Sequence, residues 1–396
     1  MQTHDPARQI SFIQQALSQN RKPVGFFIGA GCPLSVRVET QVDGKAVNNA
    51  LIPDVSGLTT IIAEQMTKDP VLADSWLLLT NAVKDDGQDN ENIELLLSRI
   101  RQLHGVAGRG KVRDLSADEL ITLDEKICSV ISDQVNRELP TRNTAYHDLA
   151  VWTRSVNRAQ PVHLFTTNYD LLLEQAMEES SAPYFDGFIG SRRAFFDLGA
   201  VEDEGLLPAR WTRLWKVHGS LNWRLDKGSV VRTTDKLGGS YLIYPSHLKY
   251  DQSRKMPYLA MLDRLKSFLL KPSAVLFICG YSFADDHIND VIMRSLETNA
   301  TAHVFAFMHG ELGDDKYAKA RECAFATPNL SMIGFDSAIV GRISGVWRPE
   351  PIEGMVLPQN VFVTDNTTAS VKLGDFAVVG SLLRSLAGTQ EQTDDA

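Results

Sequence analysis

Val24-Gly25-Phe26-Phe27-Ile28-Gly29-Ala30-Gly31 decides the fold. Its first five residues show neither a helical period nor a polar alternation. An unbroken apolar run that ends in glycine is the pattern of a strand buried on both faces. Arg21-Lys22-Pro23 stands before it and ends an amphipathic helix predicted over residues 8–20, with Ile10, Ile13 and Leu17 on one face. Similar apolar runs recur at Pro161–Thr167, Leu214–His218, Ala274–Cys279 and Ala302–Phe307, with helical patterns between several of them.

This alternation predicts an α/β protein built on a Rossmann-like, doubly wound parallel sheet. Between about 58 and 160 the texture turns helical, with periodic stretches at Ile61–Met66, Asn92–Ile100 and Leu120–Val135. That block reads as a helical module inserted in the sheet domain. Lys84–Asn92 and Gly105–Asp114 read as loops, Val38–Ala50 as an inserted hairpin, and 225–240 as a hairpin or loop. The expected organisation is an N-terminal helix over 1–20, a main domain over 21–345 with its insertion at 58–160, and a short C-terminal extension over 346–396. The extension holds a strand at Asn360–Val363, a helix near Ser381–Leu386 and a polar tail.

With 43% hydrophobic residues, the 396-residue chain has material for a full core. A net charge of -9 repels phosphate backbones, which argues against direct nucleic-acid binding. No apolar stretch reaches the roughly 20 residues that span a bilayer, and no signal peptide is visible, so a cytoplasmic location is expected. Cys32, Cys128, Cys279 and Cys323 form no C-x-x-C pair, which points to a reducing compartment and to no cysteine-based zinc site.

Four polar strand ends carry the chemistry. Gly29-Ala30-Gly31 would let the backbone approach a pyrophosphate at a helix N-terminus, although a strand ending in a turn would look the same and a third glycine is missing. Thr166-Thr167-Asn168-Tyr169-Asp170 places Asn and Asp where open sheets bind ligands, or where they would cap a helix over Leu171–Met177. His218-Gly219 follows a third strand. Gly280-Tyr281-Ser282-Phe283-Ala284-Asp285-Asp286-His287 follows a fourth, and its acidic run reads as the cap of a helix over His287–Leu296 rather than as a metal site.

Taken in order, these elements resemble the sirtuin superfamily, and within it the sirtuin-like bacterial NADases of anti-phage defence. The matching residues are Gly29-Ala30-Gly31, Ile52-Pro53-Asp54, Thr166–Asp170, His218-Gly219 and Gly280-Tyr281-Ser282. The resemblance spans about 20–345 and implies that NAD+ is the substrate, cleaved at its nicotinamide–ribose bond. It implies catalytic roles for Asn168, His218 and Asp170, and ligand contacts by Gly29, Ala30, Gly31, Asp54, Thr167, Gly280 and Ser282. It also implies a homo-oligomer and a HerA-like hexameric ATPase as partner. The chain departs from the deacetylases of that superfamily. It lacks their four-cysteine zinc ribbon, has Pro33 where their loop serine stands (with Ser35 as a substitute if the loop is reshaped), and has Val55-Ser56 after Ile-Pro-Asp. These departures favour NAD+ hydrolysis without zinc.

Three other readings compete. Gly280–Ala284 approximates a nucleophile elbow, which would make Ser282 the nucleophile of an α/β-hydrolase served by His303 or His309. A sensor of NAD or ADP-ribose would use the same loops without turnover. A dehydrogenase would need an acidic residue ending a second strand, and none stands at the expected distance.

Overall fold

The computed structural model describes residues 2–42, 45–87, 92–155, 158–227, 229–233, 241–243, 257–349, 361–365 and 368–388. Val24–Ile28 lies inside a ten-stranded sheet, between Val275–Cys279 and His163–Thr166, parallel to both. From this centre the chain builds outward through His163–Thr166, Thr212–Lys216 and the edge strand Tyr184–Phe185. It then returns to the other side and adds Val275–Cys279, His303–Phe307 and Leu330–Ile333, again parallel. The sheet is therefore doubly wound, as its sequence pattern predicts. The winding reverses between Val24–Ile28 and Val275–Cys279, and ligands of such sheets bind outside the carboxyl ends of the strands at that point.

Successive side chains of a strand point to opposite faces, and both faces are covered. Phe26, Leu164, Leu214 and Phe277 join one apolar cluster; Phe27, Phe165, Trp215 and Leu276 join the other. This explains why the core strands carry no polar alternation. The predicted strand Leu214–His218 ends two residues early, at Lys216, and His218 falls in the turn that follows.

The first face packs against helices that include Pro6–Ser18, Val55–Lys68, Ala73–Asp85, Ile93–Ala107, Ala117–Val135 and Ala145–Ser155. Asp5 caps the first, which starts and stops two residues before its predicted span. Asn92 caps Ile93–Ala107, and Ser116 with Glu119 forms a reciprocal capping box on Ala117–Val135. The loop expected from Gly105 is shorter than predicted. The helix runs to Ala107, and Lys111–Val112 pairs with Leu115–Ser116. Arg37–Val42 and Lys45–Ala50 form the predicted hairpin. Gly219–Asp226 and Ser229–Arg232 form another inside a five-stranded antiparallel sheet; residues 228 and 234–240 of that expectation lie outside the described residues.

Two elements near the chain's end differ from expectation. Ser337–Val340 and Ile343–Trp347 add an antiparallel hairpin to the sheet, which the sequence reading lacks, and Thr3–His4 pairs with its outer strand. The C-terminal helix is longer than predicted, at Phe376–Ala387, and Arg384 holds Asp148 through two hydrogen bonds of 2.8 and 2.9 Å. All four cysteines are buried free thiols. Among the described residues, no helix is long and apolar enough to cross a membrane.

His303 opens its strand with Nε2 2.9 Å from the Ser331 hydroxyl, and burial helped by Lys22 pushes its imidazole down from 6.5 to about 4. A depressed histidine contributes stability above its unfolded value and loses it as pH falls toward the folded one. Between pH 7 and pH 5 this should cost about 2 kcal/mol. Urea unfolding at the two pH values should show a loss smaller by that amount in His303→Gln than in the parent. Equal losses would contradict the assignment.

Candidate active site

Thr166 ends its strand by donating from its hydroxyl to the Ile28 carbonyl at 2.7 Å, which ties the two neighbouring strand ends together. Its Oγ1 also accepts the Asn168 amide at 3.0 Å. The Asn168 side chain then crosses to the first loop, donating from Nδ2 to the Gly29 carbonyl at 3.1 Å. The amide group is thereby oriented with Oδ1 as the acceptor it can offer to the cavity it lines.

Ala30, Asp54, Thr167, Asn168, Asp170, His218, Gly280 and Ser282 line one cavity of about 350 Å³. It lies outside the carboxyl ends of the central strands, at the point where the winding reverses. Gly29 and Gly31 are not among its lining residues. Their amides are already engaged, Gly29 to the Cys279 carbonyl at 2.9 Å and Gly31 to the Gly280 carbonyl at 2.8 Å. A Cβ on Gly29 would lie 2.4 Å from the Gly280 oxygen, and one on Gly280 (φ +64°) 2.5 Å from the Cys32 nitrogen. These glycines serve a loop-to-loop contact, of which Ala30 and Gly280 line the cavity. No α-helix begins after Gly31 either. Cys32–Ser35 is a single 3-10 turn, so the expected helix N-terminus is replaced by a turn and the hairpin. Pro33 lines the cavity, whereas Ser35 spends its hydroxyl on the Cys32 carbonyl at 2.8 Å.

Asp54 and Asp170 both serve local structure as well as lining the cavity. Asp54 accepts the Gly57 amide at 2.9 Å as the cap of Val55–Lys68. Asp170 accepts the Leu172 amide at 3.1 Å, ahead of the helix Leu172–Glu179. Burial pushes the Asp170 carboxyl up to about 6 against the opposing pull of Lys216. Lys216 is itself buried, donating to the Asp170 carbonyl and to Glu174 Oε1 at 2.9 Å.

His218 sits just beyond its strand, where Val217 donates to the Thr166 carbonyl at 2.9 Å. Gly219 takes φ +104°, a conformation that favours glycine, and turns the chain into the antiparallel sheet. The imidazole is buried, with Nε2 3.0 Å from Asp285 Oδ2. Asp285 also caps the helix Asp286–Thr298, accepting from His287 and Ile288. The capping expected of the acidic run is present, and the histidine contact is an addition the sequence reading missed. A second cavity, of about 620 Å³ and also lined by His218 and Asp285, opens between the helices Tyr258–Leu269 and Asp286–Thr298.

The helices Ile93–Ala107 and Ala117–Val135 line the cavity too, through Glu94, Leu97 and Ser98 of the first and Ile131 of the second. Glu94 accepts the Tyr169 hydroxyl at 3.3 Å. Five carboxylic residues line the cavity, Asp54, Glu94, Asp170, Asp285 and Asp286, and among the described residues no lysine or arginine does. Such a lining favours developing positive charge. Among the described residues, no cluster of three or more His, Cys, Asp or Glu is placed to hold a metal ion. Ser282 is exposed, and His303 begins its strand at the opposite end of the sheet, bonded to Ser331. A serine-hydrolase arrangement of these two is therefore not formed.

None of the curated proteins compared with the chain matches it. Solved structures that are similar include a Sir2 homologue in complex with NAD, at 13% identity and a TM-score of 0.35, covering 82% of this chain and 98% of that one. A structure described as giving the basis for the mechanism and regulation of Sir2 enzymes matches at 11% identity and a TM-score of 0.34, covering 78% and 90%. An ADP-ribose complex of a Sir2 homologue mutant matches at 12% identity and a TM-score of 0.32, covering 80% and 96%. Residues 162–333, which carry Asn168, His218 and Asp285, match the family model of the SIR2-like domain.

Proposed function

We propose that the chain hydrolyses NAD+ at the nicotinamide–ribose bond, giving nicotinamide and ADP-ribose, and that it depletes cytoplasmic NAD+ in anti-phage defence. The observation that carries this reading is the meeting of Asn168, Asp170 and His218 in one acidic cavity at the reversal of the sheet. The match of residues 162–333 to the SIR2-like domain supports it.

Nicotinamide leaves with the electrons of the glycosidic bond, and the ribose passes through an oxocarbenium-like state. The carboxylates around the cavity favour that positive charge, and Asp170, raised to about 6, is itself a negative carboxylate at neutral pH. Asn168 offers Oδ1 to a ribose hydroxyl or to the attacking water, with its amide held by Gly29. Water adds to the ribose carbon, and His218 accepts the proton, directly or through a ribose hydroxyl. Ala30, Gly280 and Ser282 meet the pyrophosphate and adenosine side by backbone and hydroxyl, since no cationic side chain among the described residues lines the cavity. We further propose a homo-oligomer that is regulated by a HerA-like hexameric ATPase.

The purified chain, alone and with such an ATPase, is incubated with NAD+ and the products are separated by chromatography. Nicotinamide and ADP-ribose in equal amounts are expected. Intact NAD+ under every condition, with calorimetric binding preserved, would overturn hydrolysis in favour of a sensor.

A further inference from the structure

We propose that Asp285 is the positioning residue of this site. Its carboxylate holds His218 in the tautomer protonated at Nε2 and leaves Nδ1 as the basic nitrogen. The catalytic consequence rests on the NAD+-hydrolase reading; the tautomer itself does not.

The two oxygens of Asp285 divide the work. Oδ1 accepts the backbone amides of His287 at 2.9 Å and Ile288 at 3.2 Å, closing the first turn of the helix Asp286–Thr298. Oδ2 lies 3.0 Å from His218 Nε2. An ionised carboxylate only accepts, so Nε2 must carry the proton of the neutral ring. Nδ1 then holds the lone pair. It is buried without a hydrogen-bond partner among the described residues, on a side chain that lines both the acidic cavity and the second one. A buried imidazole nitrogen with no protein partner, on a ring pinned from its other side, is the arrangement of a general base awaiting a proton.

The carboxylate is held in place before any ligand arrives. Asn289 donates from Nδ2 to the Phe283 carbonyl at 2.8 Å and from its backbone to the Asp285 carbonyl at 3.0 Å. The Tyr281 hydroxyl lies 2.9 Å from Asn289 Oδ1 and 3.1 Å from the Asp285 carbonyl. This network fixes the 281–285 loop through Phe283, a non-glycine residue at φ +63°. The helix N-terminus adds a positive partial charge beside Asp285, which helps hold the carboxylate in place.

Capping alone does not require an acid, since asparagine caps a helix about as well as aspartate. Asp285→Asn therefore separates the two tasks. It preserves the cap through Oδ1 and turns an amide N–H toward Nε2, which reverses the tautomer. With histidine-selective ¹⁵N labelling, His218 is identified among the nine histidines by its absence from His218→Gln. The parent should show a protonated Nε2 and a bare Nδ1, and Asp285→Asn the reverse, with unchanged near-UV circular dichroism. In NAD+ turnover, Asp285→Asn should lower kcat by about 10²- to 10⁴-fold with KM within about threefold of the parent. A parent ring protonated at Nδ1, or a tautomer unchanged in Asp285→Asn, would overturn the proposal. Reversal of the tautomer in a chain whose parent form never turns over NAD+ would sustain the positioning role and overturn the hydrolase reading instead.

Discussion

Replacing His218 by alanine should lower NAD+ turnover by about 10²- to 10⁴-fold, the usual weight of one positioned acid–base group. The fold should survive the change. The imidazole's polar contact among the described residues is with Asp285, which keeps its capping role through Oδ1. Asn168→Ala should produce a loss of similar size for a different reason. It removes the acceptor offered to ribose or water, along with the 3.1 Å bond that ties this loop to Gly29. The two losses should not add in the double variant, because neither group works without the substrate geometry that the other maintains. Initial rates of nicotinamide release at saturating NAD+, with melting temperatures recorded in parallel, make the comparison. Turnover equal to the parent in either single variant would remove that residue from the mechanism.

The largest stability effect is expected at Lys216. This lysine is buried at the end of the strand Thr212–Lys216 and holds Glu174 Oε1 at 2.9 Å together with the Asp170 carbonyl. Lys216→Met keeps most of the volume but strands a buried carboxylate, a change that costs about 3–5 kcal/mol. Removing the cation also takes away the influence that lowers the Asp170 carboxyl, already raised to about 6 by burial. An acid raised in the folded state contributes stability below its unfolded value and loses it as pH rises through the folded one. The destabilisation of Lys216→Met should therefore be larger at pH 8 than at pH 6 in urea unfolding. Adding Glu174→Leu should restore most of the loss, since exchanging a whole buried pair for apolar residues is often neutral. A loss under about 1 kcal/mol at pH 8 would mean that the pair carries no net weight.

The parallel core was legible because its strands are buried on both sides and read as continuous apolar runs. The edge hairpin was not. Ser337–Val340 and Ile343–Trp347 are short, and their turn uses Gly341 and Arg342 at φ +56° and +69° rather than an Asn-Gly pair. Most of the candidate site could be read from strand ends, because an open sheet gathers those ends at one edge. The role of Gly29 and Gly31 was not readable, since the pattern that lets backbone meet phosphate also lets one loop meet another. The pairing of Asp285 with His218 was hidden for a further reason. Helix capping gives a sufficient local account of the aspartate, and its second oxygen meets a residue 67 positions away. Glu94 gave no signal, as a first-turn acid on an amphipathic helix reads as solvated.

The contact between Gly29 and Gly280 also bears on when during synthesis the site comes into being. It joins a loop made at the start of the chain to one made after more than two thirds of it, and the His218 partner follows only at Asp285. A nascent chain that ends before Gly280 has Asn168 and His218 but neither that loop contact nor Asp285. Pairings between such distant segments form late, after the local helices. A ribosome-bound or prematurely terminated chain therefore lacks a formed site. If the chain hydrolyses NAD+ as proposed, topology alone would withhold that activity from incomplete molecules.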